Sequence, residues 1–409
     1  MKPRFVEVLA APAAGNVDRA RPAARLPVFH GTGRDTAAAA AGLRLANVGV
    51  GSVGLAFALD AARAGVGEQR LCDPGVLKAE SLLTHPIAPA AIGRSKVNHA
   101  GHAVKEIHPA GRVAVFAGPV QELDLFSFAG VSAVVIAPDN LLCARDAGEI
   151  AQRLGVPLLQ ASVHGETLTV AVRVFRDACP YCLFTARDRE DLVRERRFSC
   201  SGPGASGEQA LRPTVAPAAL CSLAAAELLL TLLRLELGLG DELLDTVYEA
   251  SALARRPLVT RVARTADCPV DHTPWTLIAH RNELDEATPR ELLDAAGAAG
   301  DAPATLSFTL EGFCFLCAGV CACGERFSIG RFLPTDERHG PLRDEVARCP
   351  RCGGQVAAVG QVTHAEVPVE AMAEVLDQPL CALGAIDVDA VRVQRGEQTV
   401  LVGPPGVLA

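Results

Sequence analysis

The stretch Leu43 to Asp73, LRLANVGVGSVGLAFALDAARAGVGEQRLCD, decides how the rest of the chain is read. An apolar strand, Leu43 to Val48, runs into Gly49-Val-Gly51-Ser-Val-Gly54. A helix-compatible run follows from Leu55 to Ala64, and a second strand ends on Asp73. Gly49 permits a tight turn, Gly51 lets backbone approach a phosphate, and Gly54 lets helix pack on strand. The start of the helix offers free N–H groups and a partial positive charge to an anion. Asp73 follows the last glycine by about twenty residues, where an acid at a strand end meets a ribose hydroxyl. Strand, glycines, helix and acid together point to a nucleotide site. The alternative is a glycine turn with only a structural role.

Outward from that stretch, short apolar strands alternate with helical segments. Pro74 to Arg94 is irregular, and a helix runs from Ser95 to Ile107. Strands follow at Arg112 to Ala117 and Val131 to Ala137, then a helix from Leu141 to Leu154 and a strand at Leu158 to Val163. This alternation specifies an α/β fold, a Rossmann-like, mostly parallel sheet covered on both faces. Thr167 to Phe175 has no helix before it and reads as the start of an antiparallel extension. Thr185 to Pro213, with RDREDLVRERR and SCSGPGASG, reads as a polar loop. The apolar run Ala218 to Leu237 carries Glu227, Arg234 and Glu236, so a buried packing or dimer helix is expected rather than a membrane span. After Cys268 the composition changes. Thr288 to Ala298 reads as a helix with Thr288 as its cap, and Thr305 to Phe315 as a strand. The expected divisions are a partly ordered lead-in over 1–42 with a strand at Phe5 to Leu9, a large domain over 43–275, and a small C-terminal domain over 276–409.

The chain has 409 residues and a net charge of -8, which disfavours a general nucleic-acid coat. Its 14 cysteines cluster as CPYC, CFLC, CAC and CPRC, the pattern of thiolate metal sites in a reducing compartment rather than of disulfides. The N-terminal MKPRFVEVLAAPAAG is interrupted by Glu7 and does not read as a signal peptide. A cytoplasmic protein without a membrane partner is the expectation.

Lys96, in Ile92-Gly-Arg-Ser-Lys96, opens a helix from which it can reach phosphates on the glycine turn. Asp139 lies at the carboxyl end of the fourth strand, where ligands of open α/β sheets bind. A carboxylate there suits Mg2+ held with phosphate, or caps the next helix. Cys349-Pro-Arg-Cys352-Gly-Gly is a zinc-ribbon knuckle. Its preferred partner is Cys321-Ala-Cys323-Gly, just before a strand at Glu325 to Phe332, with Cys314 and Cys317 as the rival pair. His85, His99, His102 and His108 crowd together without a ligand-rich partner and are not read as a metal site. Cys72, Cys143, Cys221 and Cys381 read as core thiols.

The order glycine turn, CDPGVLKAESLLTHP, IGRSK, APDNLLCAR and ACPYCLF resembles the ThiF/MoeB family of adenylating enzymes, which includes the ubiquitin-activating enzymes. The resemblance covers roughly residues 43 to 275 and implies an ATP and Mg2+ site in an adenylation domain, often dimeric. It implies adenylation of the C-terminal carboxylate of a ubiquitin-like or sulfur-carrier protein. Carried over by position, Gly49, Gly51 and Gly54 match the phosphate turn, Asp73 the ribose acid, Lys96 the phosphate lysine and Asp139 the magnesium-associated aspartate. Arg145 falls where the family often has an arginine. The family's second cysteine pair usually closes the adenylation domain, and here that place holds Cys268-Pro-Val-Asp271-His272. A Zn2+ site of Cys179, Cys182, Cys268 and His272 is implied, with Asp271 as the rival fourth ligand. Cys200 matches the location of the family's catalytic cysteine, where Arg196 and Arg197 favour a thiolate.

The chain departs from the family just after Asp73. Gly75, Ser81 and Thr84 stand where the family usually has a second acid, an asparagine and an arginine. Losing that arginine removes a charge-assisted contact to the phosphates, a loss on the order of 10² in rate. Arg94 and Arg34 are the candidate substitutes. The expected activity is ATP-dependent adenylation, followed by thioester or persulfide transfer through Cys200 to a conjugating enzyme or sulfur acceptor. A nucleotide-binding scaffold is the first alternative. An NAD-dependent oxidoreductase is the second, which leaves Lys96 and the zinc knuckles unexplained.

Overall fold

In the computed structural model, which describes residues 3–9, 34–137, 140–199, 216–298, 305–336, 340–341 and 348–405, the chain forms two units, Met1–His272 and Thr273–Ala409. The first unit runs β1 (Val6–Glu7), α1 (Thr36–Gly42), β2 (Arg44–Val48), α2 (Ser52–Ala64), β3 (Glu68–Cys72), α3 (Lys96–Ile107) and β4 (Arg112–Phe116). It continues with β5 (Ala133–Ile136), α4 (Leu141–Leu154), β6 (Leu158–His164), β7 (Thr169–Phe175), α5 (Ala186–Ser199), α6 (Ala218–Glu236), β8 (Thr246–Ser251) and β9 (Arg256–Arg261).

Nine strands form one sheet in the order β1-β4-β3-β2-β5-β6-β7-β8-β9. The five central strands, β4 to β6 in that order, pair in parallel, and β1, β7, β8 and β9 are antiparallel. The near-continuous apolar strands follow from burial on both faces. On one face Phe57 of α2 and Leu220, Leu228 and Leu232 of α6 pack against Leu45, Val135, Leu159 and Val172. On the other, Ala144, Ala147 and Ala151 of α4 pack against Ala46, Val48, Val134 and Ile136. Among the described residues α6 is the one helix long and apolar enough to cross a membrane, yet this leucine row lies on the sheet.

Three local expectations change. Within the lead-in, Asp35 accepts from the N–H groups of Ala37 and Ala38 and caps an alanine-rich helix, α1. The charged stretch expected as a loop forms α5 up to Ser199. Thr185 and Asp188 exchange hydrogen bonds in a capping box at its start. Leu192 is buried, and Arg189 is fixed by Asp267 and by the ring of Tyr181 at 5.0 Å. Charged side chains with good helix propensity thus need only a narrow apolar contact to form a helix. The strand expected from Thr305 to Phe315 is two strands, broken at Gly312, whose φ is 79°.

The second unit runs β10 (Thr276–Ala279), α7 (Pro289–Ala295), β11 (Leu306–Leu310), β12 (Phe313–Val320), β13 (Arg326–Asp336), β14 (Gly340–Pro341), β15 (Gln361–His364), β16 (Val367–Pro368), β17 (Val391–Arg395) and β18 (Gln398–Gly403). It holds a five-stranded sheet, β10-β18-β17-β11-β16, and a four-stranded one, β14-β13-β12-β15. Phe308, Phe315 and Phe332 share its core with Leu292, Met372 and Val393. α7 starts with a reciprocal capping box between Thr288 and Glu291. Of the thiols read as core, Cys72 and Cys221 are buried, Cys143 is half-buried and Cys381 is exposed.

Candidate functional site

The strand order reverses at β2, which has β3 on one side and β5 on the other. A crevice outside the carboxyl ends of the strands is expected at such a point. Gly49 takes φ 90°, in the region glycine tolerates best, and its N–H donates to the Cys72 carbonyl at 2.8 Å. A Cβ on Gly54 would lie 2.0 Å from the Gly49 carbonyl oxygen, so only glycine lets α2 leave the turn this closely. Gly51 is the N-cap of α2, and no side chain caps the helix. A Cβ on Gly51 would meet nothing within 4 Å. Among the described residues no side chain caps the first-turn N–H groups of α2, where the positive end of the helix dipole lies.

Asp73 is buried and ties this turn to the next segment. Its carboxylate accepts from the N–H of Val50 at 2.7 Å and of Gly75 at 2.7 Å. Lys96 Nζ stands 4.0 Å from the same carboxylate. Lys96 is placed by Ser95, which caps α3, and by its own N–H bonded to the Gly75 carbonyl. Gly75 matters here: a Cβ on it would sit 2.8 Å from Asp73 Oδ1 and 3.2 Å from Lys96 Nζ. The absent side chain is what lets acid and lysine meet. An ionised carboxylate has about four acceptor positions, so two remain on Asp73 for hydroxyl donors.

The segment after Asp73 uses its polar groups locally. Ser81 is buried, and its hydroxyl accepts from the Lys78 N–H in a short 3₁₀ turn. Thr84 Oγ1 lies 3.0 Å from His85 Nδ1, and Ser52 Oγ of α2 lies 3.4 Å from the same nitrogen. Burial, then the charge of Lys96, hold the His85 imidazole below its ordinary pKa, against the Ser81 carbonyl and Asp73. His85 thus stands beside the glycine turn, although its motif context gave no hint of a role.

Cys179, Cys182, Cys268 and His272 bring four ligand atoms within 4.8 Å of one another. The sulfurs of Cys179 lie 3.8 Å from Cys182 and 3.6 Å from Cys268, and His272 Nε2 lies 3.3 Å from Cys268 and 3.8 Å from Cys182. A tetrahedral zinc with bonds of about 2.3 Å to sulfur would set sulfurs about 3.8 Å apart, so the donor set fits. His272 Nδ1 lies 2.8 Å from the Asp177 carbonyl, which orients the ring, and Asp271 is outside the group. Asp245, in a left-handed conformation, accepts from the N–H groups of Arg176, Asp177 and Ala178. Gln152 donates to the carbonyls of Arg176 and Ala178. These two residues hold the knuckle in place, and sequence reasoning missed both because they lie far from any cysteine.

Cys321, Cys323, Cys349 and Cys352 form the second such group. Cys321 and Cys352 sulfurs are 3.5 Å apart, and Cys323 and Cys349 sulfurs 3.7 Å. Burial opposes ionisation of Cys349, but the N–H groups of Cys352 and Arg351 and two neighbouring thiols outweigh it and bring it down to about 7. Cys314 is buried with Leu316 and Leu333, and Cys317 donates to the Val362 carbonyl. Neither joins the group.

The model of the ThiF family matches residues 24–270. The chain belongs to the ThiF family. No curated protein matches it in sequence. Among solved structures, that of E. coli MccB with succinimide is 14% identical, over 57% of this chain and 68% of that chain, with a TM-score of 0.46. The microcin C7 biosynthetic enzyme MccB in complex with N-formylated MccA is 13% identical, over 58% and 71%, with a TM-score of 0.47. PaaA is 15% identical, over 56% and 67%, with a TM-score of 0.43.

Within this ThiF-family domain, several candidate residues have other partners. Arg145 pairs with Asp146, which also accepts from Gln121. Arg34 donates to the Glu236 carbonyl at the end of α6. Arg94 adds positive charge beside His99. Asp139 and Cys200 lie outside the described residues. C-terminal to the ThiF match, the second cysteine group sits in a small sheet unit compatible with a zinc ribbon.

Proposed function

We propose that the chain adenylates the C-terminal carboxylate of a peptide or small carrier protein, using ATP. The observation that carries this reading is the Asp73 carboxylate, which joins the Val50 N–H of the glycine turn to Lys96 inside a ThiF-family domain. ATP supplies an α-phosphorus that a carboxylate attacks as pyrophosphate leaves. The uncapped first turn of α2 and Lys96 bind and orient phosphate oxygens. Asp73 uses its remaining acceptor positions for ribose hydroxyls. Asp139 is proposed to hold Mg2+ against the phosphates. The substrate is proposed to be a ubiquitin-like or sulfur-carrier protein, with the Cys200 thiolate, or a persulfide formed on it by a sulfane-sulfur donor, attacking the adenylate carbonyl and expelling AMP. A homodimer is proposed as the working form. Both cysteine groups are proposed to hold structural Zn2+, the second within a ribbon that recognises carrier or acceptor.

A second reading, a nucleotide-binding scaffold, is favoured by Ser81 and Thr84, whose hydroxyls make local bonds where the family has its asparagine and arginine. Pyrophosphate exchange separates the two. With a glycine-ended carrier encoded alongside it, the active enzyme incorporates radiolabelled pyrophosphate into ATP, and Cys200→Ser leaves that exchange intact. ATP binding without exchange selects the scaffold. Tighter binding of NAD than of ATP with Mg2+ removes both.

A further inference from the structure

The nucleotide site contains one ring nitrogen that no described protein group satisfies. His85 Nδ1 has two hydroxyl neighbours, Thr84 Oγ1 at 3.0 Å and Ser52 Oγ at 3.4 Å. Its Nε2 is buried and has no hydrogen-bond partner among the described residues. A buried, unpaired polar atom costs about 1–3 kcal/mol, and beside a nucleotide site a ligand oxygen is the acceptor that would satisfy it. The ring is anchored to Ser52, the first residue of α2, whose first-turn N–H groups lack a side-chain cap. Lys96 from α3 and Asp73 from the end of β3 both act electrostatically on it, and the Ser81 carbonyl acts on the ring as a hydrogen-bond acceptor.

We infer that His85 is a phosphate-binding residue of this site, its Nε2 donating to an oxygen of the bound nucleotide triphosphate. The inference rests on the nucleotide reading above and adds a residue to it. Thr84 cannot supply the family's cation, and the next residue, in contact with the glycine-turn helix, supplies a donor that becomes cationic when protonated. In the nucleotide-free protein burial and Lys96 hold the imidazole's pKa below its ordinary value. A triphosphate offsets the Lys96 charge and gives Nε2 an acceptor, and both effects raise the ring's pKa. By linkage, nucleotide binding then takes up a proton. The extra affinity is fully present below the free-state pKa and is lost as pH rises through the bound-state pKa. An upward shift of about one unit corresponds to about tenfold in affinity.

Ring nitrogens of the full chain, labelled with ¹⁵N-histidine, can be followed by long-range ¹H–¹⁵N NMR from pH 5 to 8, with and without ATP and Mg2+. His85 is identified as the resonance missing from His85→Gln, or from His85→Asn should the first variant not fold. The expected result is a pKa about one unit higher with ATP. In calorimetry the variant should bind ATP more weakly than wild type, by up to about tenfold at the acid end of the range, with the gap closing as pH rises through the bound-state pKa. A ring that titrates identically with ATP bound overturns the proposal while leaving the nucleotide reading standing, and so does a pH-independent loss in the variant. A wild-type chain that binds no ATP overturns both.

Discussion

Cys179 and Cys182 lie in the core between α4 and the antiparallel strands, packed with Phe175, Val262 and Val270. Their partners Cys268 and His272 arrive from the far end of the first unit. In the second group, by contrast, Cys323 and Cys352 are exposed, and among the described residues the buried pair Cys321 and Cys349 shares a cluster with Val356 alone and, at its edge, Phe327. Both groups have the spacing of four tetrahedral ligands, but only the first has an apolar core of its own. Metal is therefore an addition to a packed region at the first group, whereas at the second the knuckles stand outside the core of their unit, which is built around Phe308, Phe315 and Phe332.

The largest effect expected from this contrast belongs to Cys349→Ser. Structural zinc contributes folding free energy directly, and most where the ligands have little apolar packing of their own. One of two zinc equivalents should disappear by metal analysis, and amides of the knuckles, at residues 321–325 and 349–355, should lose exchange protection, while β12 and β13 keep theirs through Phe315 and Phe332 and melting of the first unit is unmoved. A ribbon that stays protected without metal would show that the small cluster around Val356 suffices.

Cys179→Ser should also remove one zinc, with a smaller structural consequence. The sheet and the apolar cluster around Phe175 remain, so the first unit should lose about 3–5 kcal/mol and still melt cooperatively in calorimetry. Complete unfolding of that unit would erase the distinction between the two sites.

Asp245→Asn sharpens the comparison further, because it leaves all four ligands in place. Removing the charge that gathers three consecutive N–H groups ahead of Cys179 should weaken zinc binding about tenfold or more, read by competition with a chelating dye. The second site should be unaffected. The smallest effect is assigned to Asp271→Ala, which should leave zinc content unchanged and stability within about 0.5 kcal/mol. Zinc lost from Asp271→Ala but kept by His272→Ala would make the carboxylate the fourth ligand.

The amino-acid sequence by itself determined the parallel sheet, the glycine turn and the acid that closes it. These features depend on residues near one another in the chain: apolar runs of strand length, glycines at fixed spacing, and Ser95 and Thr288 at helix starts. CxxC spacing marked Cys179 with Cys182 and Cys349 with Cys352, but Cys314 and Cys317 share that spacing without joining a group, and Cys268 was implied only by the family resemblance. What the tertiary structure decided depends on residues far apart. The charged face of α5 gives no periodic signal and suggests a loop, whereas the helix is stabilised by the burial of Leu192 and by Asp267 from a distant loop. Asp245 and Gln152 support the first knuckle from separate elements, and no local pattern marks them. His272 is the ligand grouped with the three thiols because a backbone carbonyl at Asp177 aims its ring. His85 stood among histidines with no visible function until the fold set it beside Ser52 and left Nε2 unpaired. Local propensity and spacing are written in consecutive residues, whereas hydrogen-bond satisfaction and burial are properties of the packed chain.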